Sequence, residues 1–503
     1  MAERKAVILG SGLGGLYSGA ILALEGYKVH VLEKNKQIGG NLQIFSRNKT
    51  VFDTGVHYVG GLAEGENLHQ FFKYVGILDK IKAKRLDDQN FDIIEFADEQ
   101  ISYPMAQGYE VFVDELAKIF PEERENLNRY IEGIKKVCDD FPLYNLRPGT
   151  QEIDSSFTRV SLKAFIEDIT SNKRLQNVLI GNNLLYAGND DKTPLHLHAL
   201  VTNSYIQSSW RFVGGGSQIA IALSKVILEN GGKLQKHASV VELETEDDKV
   251  SAAVLSNGEK ITGDVFVSNI HPASTFAMIN HKSIRPAFRS RLESMENSIS
   301  TFMVNLVMEE GTFPYFNHNY YIHQDSDLWD NLNHTEEDWP RGYAIFCSES
   351  QRHPGYCEGI SLMCYMRHDE VEKWKETFNT VANPEDRGED YAGFKERKSE
   401  ILLNLLEKKF PGIKSKIKAK YTATPLSYRD YMGTADGAIY GIIKDYRDPL
   451  KTFISPKTKL NNLYLTGQNI HMHGVLGVTV GAILTSSMIV GQDYLINKIL
   501  AKK

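Results

Sequence analysis

The sequence predicts an α/β fold with a Rossmann-like unit at its start. Three observations carry the prediction. Ala6-Val7-Ile8-Leu9 runs as a short apolar strand into Gly10-Ser11-Gly12-Leu13-Gly14-Gly15, a segment suited to a helix, and then Lys28-Val29-His30-Val31-Leu32-Glu33. Near the other end, Leu463-Tyr464-Leu465 stops at Gly467, and glycine-punctuated turns open an uncharged apolar segment. Between them, residues 214–269 return to glycines, an apolar helix and short strands. Helical and strand periods thus alternate along the chain, the pattern of a layered α/β protein.

Each part of the first run has a task on a dinucleotide. Gly10 allows the tight turn, Gly12 lets the backbone approach a pyrophosphate, and Gly15 lets helix and strand pack closely. Leu13 and Gly14 open the helix, whose free N–H groups and positive dipole end face the phosphates. Glu33 stands roughly twenty residues on, where an acid holds a ribose diol. An isolated glycine fingerprint is weak; this one sits between a strand and a helix, as the chemistry requires.

Further segments carry a family resemblance. Glu33-Lys34 leads to Gly39-Gly40-Asn41 and then to Phe52-Asp53-Thr54-Gly55-Val56-His57-Tyr58. At the far end stand Thr466-Gly467-Gln468-Asn469 and His473-Gly474-Val475-Leu476-Gly477. Thr424-Pro425-Leu426-Ser427-Tyr428-Arg429-Asp430-Tyr431-Met432-Gly433, followed by Gly437 to Gly441, precedes that tail. In order and over nearly the whole chain, these resemble the carotenoid and retinoid oxidoreductases that bind FAD. That group holds phytoene desaturases, carotenoid isomerases and retinol saturases. The resemblance is nearest the isomerase and saturase side.

The resemblance implies a two-domain flavoprotein of α/β (α+β) class. A Rossmann-like FAD domain from residues 1–80, 212–275 and 455–503 interleaves with a sheet-and-helix substrate domain from 81–211 and 276–454. It assigns cofactor contacts to Gly10, Gly12, Leu13, Gly14, Gly15, Glu33, Lys34, Gly39, Gly40, Asn41, Gly55, Val56, His57, Gly467, Gln468, Asn469, Gly474, Val475 and Leu476. Val240 or Val241 would meet the adenine. Asn41 stands where many relatives carry Arg or Lys, and Asn469 where many carry Asp. Pyrophosphate binding then leans on backbone N–H groups, and position 469 can donate as well as accept. No cysteine follows Cys364, so FAD is expected to be non-covalent. A second strand–glycine–helix unit is lacking, so NAD(P)H either visits the flavin without its own domain or another donor replaces it.

Residues 60–82 read as a loop and a helix, with Leu68, Phe71, Phe72 and Val75 at helical spacing. Residues 90–105 alternate as a strand pair that Pro104 is expected to end. Residues 110–140 are helical with a second start after Pro121, and 161–210 form a largely helical cap. Four β-prone runs in 300–365 form an antiparallel wall of the substrate chamber. Residues 369–420 read as charged and helical, a solvated face. Ile470 to Gly491 carries no Lys, Arg, Asp or Glu, a length that could span a bilayer; its glycines, two histidines and place in the FAD tail favour a buried cofactor helix.

A net charge of −7 gives no reason to expect nucleic acid. Cys138, Cys347, Cys357 and Cys364 have neither metal nor disulfide spacing. With no secretory signal at Met1, a reducing cytosol is the expected location, with contact at the inner face of a membrane left open.

Making or saturating a C=C bond beside a flavin requires a hydride and a proton. His57, Tyr58, Arg429 and Tyr431 are the catalytic candidates, with His471 and His473 flanking the last turn. The expected activity is FAD-dependent redox chemistry on the C=C bonds of an apolar polyene, saturation or isomerisation before desaturation. A substrate of that kind brings the protein to a membrane surface transiently. The alternatives are an amine or other small-molecule flavin oxidase, and a non-catalytic prenyl- or lipid-binding escort protein. Oligomeric state is not legible.

Overall fold

A computed structural model describes residues 3–148, 156–324, 327–434 and 436–502. Met1 and Lys503, the outer ends of the expected FAD domain, lie outside them. Five strands form a parallel sheet in the order Lys233–Gln235, Lys28–Leu32, Lys5–Leu9, Val265–Ser268, Leu463–Leu465. The central strand is dry on both faces: Val7, Ile8 and Leu9 are buried. That explains its unbroken apolar run, since a covered parallel strand has no solvent side to alternate with.

One face carries the Leu13–Leu24, Ser217–Glu229 and Gly474–Val490 helices. Their Leu16, Ile21, Ile227 and Ile483 pack with Ile8, Val29 and Val31. The other face carries an antiparallel three-stranded sheet, Val240–Glu246, Lys249–Leu255 and Lys260–Thr262. There Leu243 and Ala253 join Val7, Leu9 and Phe266. The uncharged tail segment is therefore an interior helix, apolar around most of its surface because protein surrounds it. Among the described residues no helix is long and apolar enough to cross a membrane.

The second large sheet has seven strands in the order Ile417–Ala423, Ser300–Met308, Cys357–Met366, Gly342–Glu349, Asn319–His323, Asp92–Phe96, Ser102–Met105. Its four central strands are the β-prone runs. They pair antiparallel, and Asn319–His323 then pairs parallel with Asp92–Phe96. Alternate side chains divide the sheet. Met303, Tyr321, Phe346 and Tyr365 face the helices between Tyr109 and Gln207. Phe302, Ile322, Ile345 and Cys364 face the Glu389–Lys409 helix.

Two expectations change here. Pro104 does not end its strand; it lies within Ser102–Met105, opposite Ile93. That strand is the sheet's edge, where a missing N–H breaks no ladder bond. The lysine-rich run near 408–420 is not one solvated helix. The helix stops at Lys409 and the chain re-enters the sheet as its other edge, Ile417–Ala423. Lys420 meets Glu396 at 2.7 Å and Glu400 at 3.0 Å, and Lys409 meets Glu95 at 2.6 Å. These lysines are paired within the fold rather than presented as a free basic face.

Candidate cofactor and substrate site

The carboxyl ends of the parallel strands open into a cavity of about 530 Å³. This is where ligands sit in open α/β sheets, because the crossovers leave a crevice beyond those ends. Gly10, Glu33, Asn269 and Gln468, each just past a strand, all border it.

The glycine loop is built around Asn269. A Cβ on Gly12 would come within 2.4 Å of Asn269 Nδ2, and one on Gly14 within 2.6 Å of its Oδ1 and 3.0 Å of the Gly467 backbone. On Gly15 it would reach 2.2 Å from the Gly10 carbonyl. The fingerprint thus serves two ends: bare backbone faces the cavity, and the first and last segments of the chain interlock behind it. Gly10 also has φ +88°, a turn that side chains disfavour. The Leu13–Leu24 helix starts without a side-chain cap, so its first N–H groups remain available to a ligand.

Glu33 is buried and already engaged. Its Oε2 accepts from Ser11 N at 3.0 Å and Ser11 Oγ at 2.5 Å, and its Oε1 from Asn35 N at 2.8 Å. It braces the glycine loop while it borders the cavity; a carboxylate has about four acceptor positions, so a diol still finds lone pairs. Asn469 Oδ1 accepts from Ile442 N at 3.1 Å. Its amide N–H groups are thereby the free end of the side chain, which suits Asn at this position.

Most expected cofactor contacts do line the cavity: Gly10, Gly12, Leu13, Gly14, Glu33, Lys34, Gly39, Gly40, Asn41, Gly55, Val56, Val240, Gln468, Asn469, Gly474 and Val475. Gly15 and Gly467 stand behind the wall, where they permit close packing. Leu476 borders a smaller neighbouring cavity instead. Val241 is a correction: it is 52% exposed on the outer side of its strand, because strand neighbours point to opposite faces.

The catalytic candidates separate. Arg429 is directed away, its guanidinium held by Asp430 and by the carbonyls of Lys375 and Thr377. Tyr431 borders the cavity with its body, while its hydroxyl accepts from Val381 N at 2.9 Å outside. His57 does not line the cavity; its ring stacks on Phe346 at 4.2 Å and 7°. Burial, with the Arg211 charge, pushes its imidazole down to about 3, so it is neutral at pH 7 and has no imidazolium proton to give. Tyr58 donates to buried Asp92 Oδ2 at 2.7 Å and meets the Tyr321 hydroxyl at 2.7 Å. Burial pushes Asp92 up to about 7 against the hydrogen bonds from Asn319, Tyr58 and Asn182.

Beyond the tail helix's first turn lies a second, smaller cavity of about 60 Å³. Leu185, Leu200, Val201, Tyr205, Met472 and Leu476 make its wall largely apolar, and it shares Gly474 and Val475 with the large cavity. His473, the residue before the helix, takes a 3.1 Å hydrogen bond with the Leu185 carbonyl and lies 4.5 Å from the Tyr440 ring. Burial lowers it to about 4.

Asn269, His271, Thr434 and Tyr440 border the large cavity and were not nominated from sequence. Asn269 carried a usable signal, as a polar residue just past a strand of the parallel sheet. Thr434 Oγ1 is buried with no hydrogen-bond partner, an orphan hydroxyl beside the space. The residues fit FAD: bare backbone and a helix N-terminus for phosphates, Glu33 for a ribose, and the orphan Thr434 hydroxyl bordering the same space.

Comparison with known proteins places this architecture. A family model described as an NAD(P)-binding Rossmann-like domain matches residues 8–75. Human all-trans-retinol 13,14-reductase is 28% identical over 97% of this chain and 85% of its own length. Prolycopene isomerase 2, chloroplastic, of an Oncidium hybrid cultivar is 23% identical over 96% of this chain and 83% of its own. Over nearly its whole length the chain is thus similar to retinoid and carotenoid oxidoreductases. A solved structure of an oxidoreductase from Methanosarcina mazei superposes with a TM-score of 0.65 at 17% identity, over 96% of this chain and 99% of that one. Sequence likeness supports an oxidoreductase and the solved structure shares its fold; the glycine-lined cavity has the lining that a dinucleotide needs.

Proposed function

We propose that this chain is an FAD-dependent oxidoreductase acting on the C=C bonds of an apolar polyene, by saturation or cis–trans isomerisation. The observation that carries the reading is the junction at Gly474 and Val475. There a backbone-built dinucleotide cavity and a cavity walled by apolar side chains share the first turn of one helix. Bound non-covalently in the large cavity, FAD supplies two-electron redox chemistry at its ring. The protein's own groups do the rest. The uncapped start of the tail helix offers N–H groups and a positive dipole end to negative charge at the junction. Val475, Leu476 and the apolar wall exclude water from it.

Saturation also needs a proton. His57 is neutral, so the geometry favours Tyr58 and its partner Asp92 as the reservoir over His57, Arg429 or Tyr431. Tyr205 lies 4.6 Å from Tyr58, ring to ring, and borders the apolar cavity. NAD(P)H is the proposed reductant, approaching without a domain of its own. An apolar polyene partitions into bilayers, so transient docking at a membrane surface belongs to the same proposal.

Product analysis tests this. Holoenzyme is incubated anaerobically with dithionite and all-trans-retinol, or with prolycopene, and the product is weighed by mass spectrometry. A gain of two hydrogens supports saturation, and an unchanged mass with altered retention supports isomerisation. Intact polyenes, with peroxide released on addition of an amine in air, would replace the reading with an amine oxidase.

A further inference from the structure

Behind the junction lies a cavity of about 80 Å³, remote from the nucleotide loop. Met472 lines it together with the two small cavities beside the tail helix. Phe141, Ile470 and Leu484 make its wall apolar, yet Lys444, His196 and His471 border it too.

Lys444 stands in this wall without an acid. Its Nζ donates at 3.3 Å to the Asn469 carbonyl, and no carboxylate pairs with it among the described residues. The adjacent Asp445 is committed to Arg447, at 3.0 Å from both Nε and Nη2. Burial lowers Lys444 to about 8, which leaves it a cation, and so only a donor, at neutral pH. His196 presents the opposite need. Its ring lies against Phe141 at 5.5 Å and bonds to the Phe157 backbone, while Nδ1 is buried with no partner. Burial, with His471 and Lys444 nearby, holds the ring neutral at about 3. A neutral ring that gives its one proton to a carbonyl keeps a lone pair on the other nitrogen. The cavity thus holds a donor with spare protons and an acceptor with none, and leaving either unmet is costly.

We propose that Lys444 and His196 form a head-group subsite for a terminal hydroxyl on an apolar chain, the hydroxyl accepting from Lys444 Nζ and donating to His196 Nδ1. One group that both accepts and donates answers both orphans. A carboxylate would face the His196 lone pair with another, and an ether or ester would have no proton for it. Met472, an unbranched and adaptable side chain, is where the chain would pass from this end toward Gly474 and Val475. Anchoring the hydroxyl here sets which double bond reaches the junction. The proposal rests on the polyene reading above.

The test uses flavin-loaded protein and three probes, all-trans-retinol, its methyl ether and retinoic acid, with binding followed by retinoid fluorescence and absorbance. Retinol should bind about tenfold more tightly than the ether, the worth of one buried hydrogen-bonding pair, and more tightly than the acid. His196→Phe should reduce that preference with the ether's affinity unchanged, Lys444→Met, which removes the donor to either oxygen, should weaken retinol and ether alike, and flavin content should stay unchanged in both. Retinol and ether binding equally, the acid binding best, His196→Phe keeping the wild-type preference, or Lys444→Met binding retinol as tightly as wild type would overturn the subsite and leave the polyene reading intact. Failure of all three probes to bind, with prolycopene also left unchanged in the product analysis, would remove the polyene reading and the subsite with it.

Discussion

The glycine-lined cleft and the buried sheet wall solve opposite problems with opposite materials. The cleft is made of backbone: Gly10, Gly12, Gly14 and Gly40 border it, and recognition rests on N–H groups and a helix end. The wall is made of side chains: Tyr58, Asp92, Asn319 and Arg211 form a buried network that no short segment contains. A backbone site tolerates little added volume, because the missing Cβ atoms are the site. A side-chain site tolerates shape change but is sensitive to charge, because each polar group is dry. Ligand binding should therefore fail first in the cleft by steric substitution, and stability should respond to pH through the wall.

The largest effect belongs to Gly14→Val. Its Cβ would meet Asn269 Oδ1 at 2.6 Å and the Gly467 backbone at 3.0 Å, and backbone cannot swing aside. Flavin bound per protein, read from the visible spectrum, should fall at least tenfold; full flavin content would break the comparison. Next is Asp92. Burial raises its carboxyl from 3.8 to about 7. The stability it contributes is present in full below pH 3.8 and is lost as pH rises through about 7. Asp92→Asn removes that titration. In urea unfolding between pH 4 and 8, wild type should lose on the order of 4 kcal/mol relative to the variant. Asp53, raised in the same direction, is common to both proteins and cancels. A flat difference would mean the wall is not dry.

Glu33→Ala sharpens the cleft side. It removes both the ribose acceptor and the acceptor for Ser11 and Asn35. FAD affinity, measured by titrating apoprotein, should weaken about tenfold, less than for Gly14→Val because the backbone cradle survives. The smallest effect is Lys420→Met. Its pairs with Glu396 and Glu400 lie near the surface, so unfolding free energy should move by no more than about 1 kcal/mol.

The same contrast explains what could be read in advance. The glycine turn, Glu33 and the tail were legible because strand, turn and helix lie within a few dozen consecutive residues. The apolar runs of 300–365 were legible as strands, but not the parallel joint between Asn319–His323 and Asp92–Phe96, which unites segments more than two hundred residues apart. Arg429 misled because a motif places a residue near a site without fixing where its side chain points; Asp430 and two carbonyls decide that. Val241 misled by one strand position. His57 misled because burial, absent from a sequence, removes the proton its residue type suggests. Asp92, Lys444 and His196 draw their character from dryness and distant partners, so no local pattern announced them.

The most direct test of the central claim is the anaerobic visible spectrum of the purified protein, recorded alone, after NADPH, and again after all-trans-retinol. The account predicts a flavin band that bleaches with NADPH; its return when retinol is added marks saturation, and a band that stays bleached while the polyene changes geometry marks isomerisation. A protein without a flavin band, even after incubation with FAD, would contradict the assignment of the cleft and everything built on it.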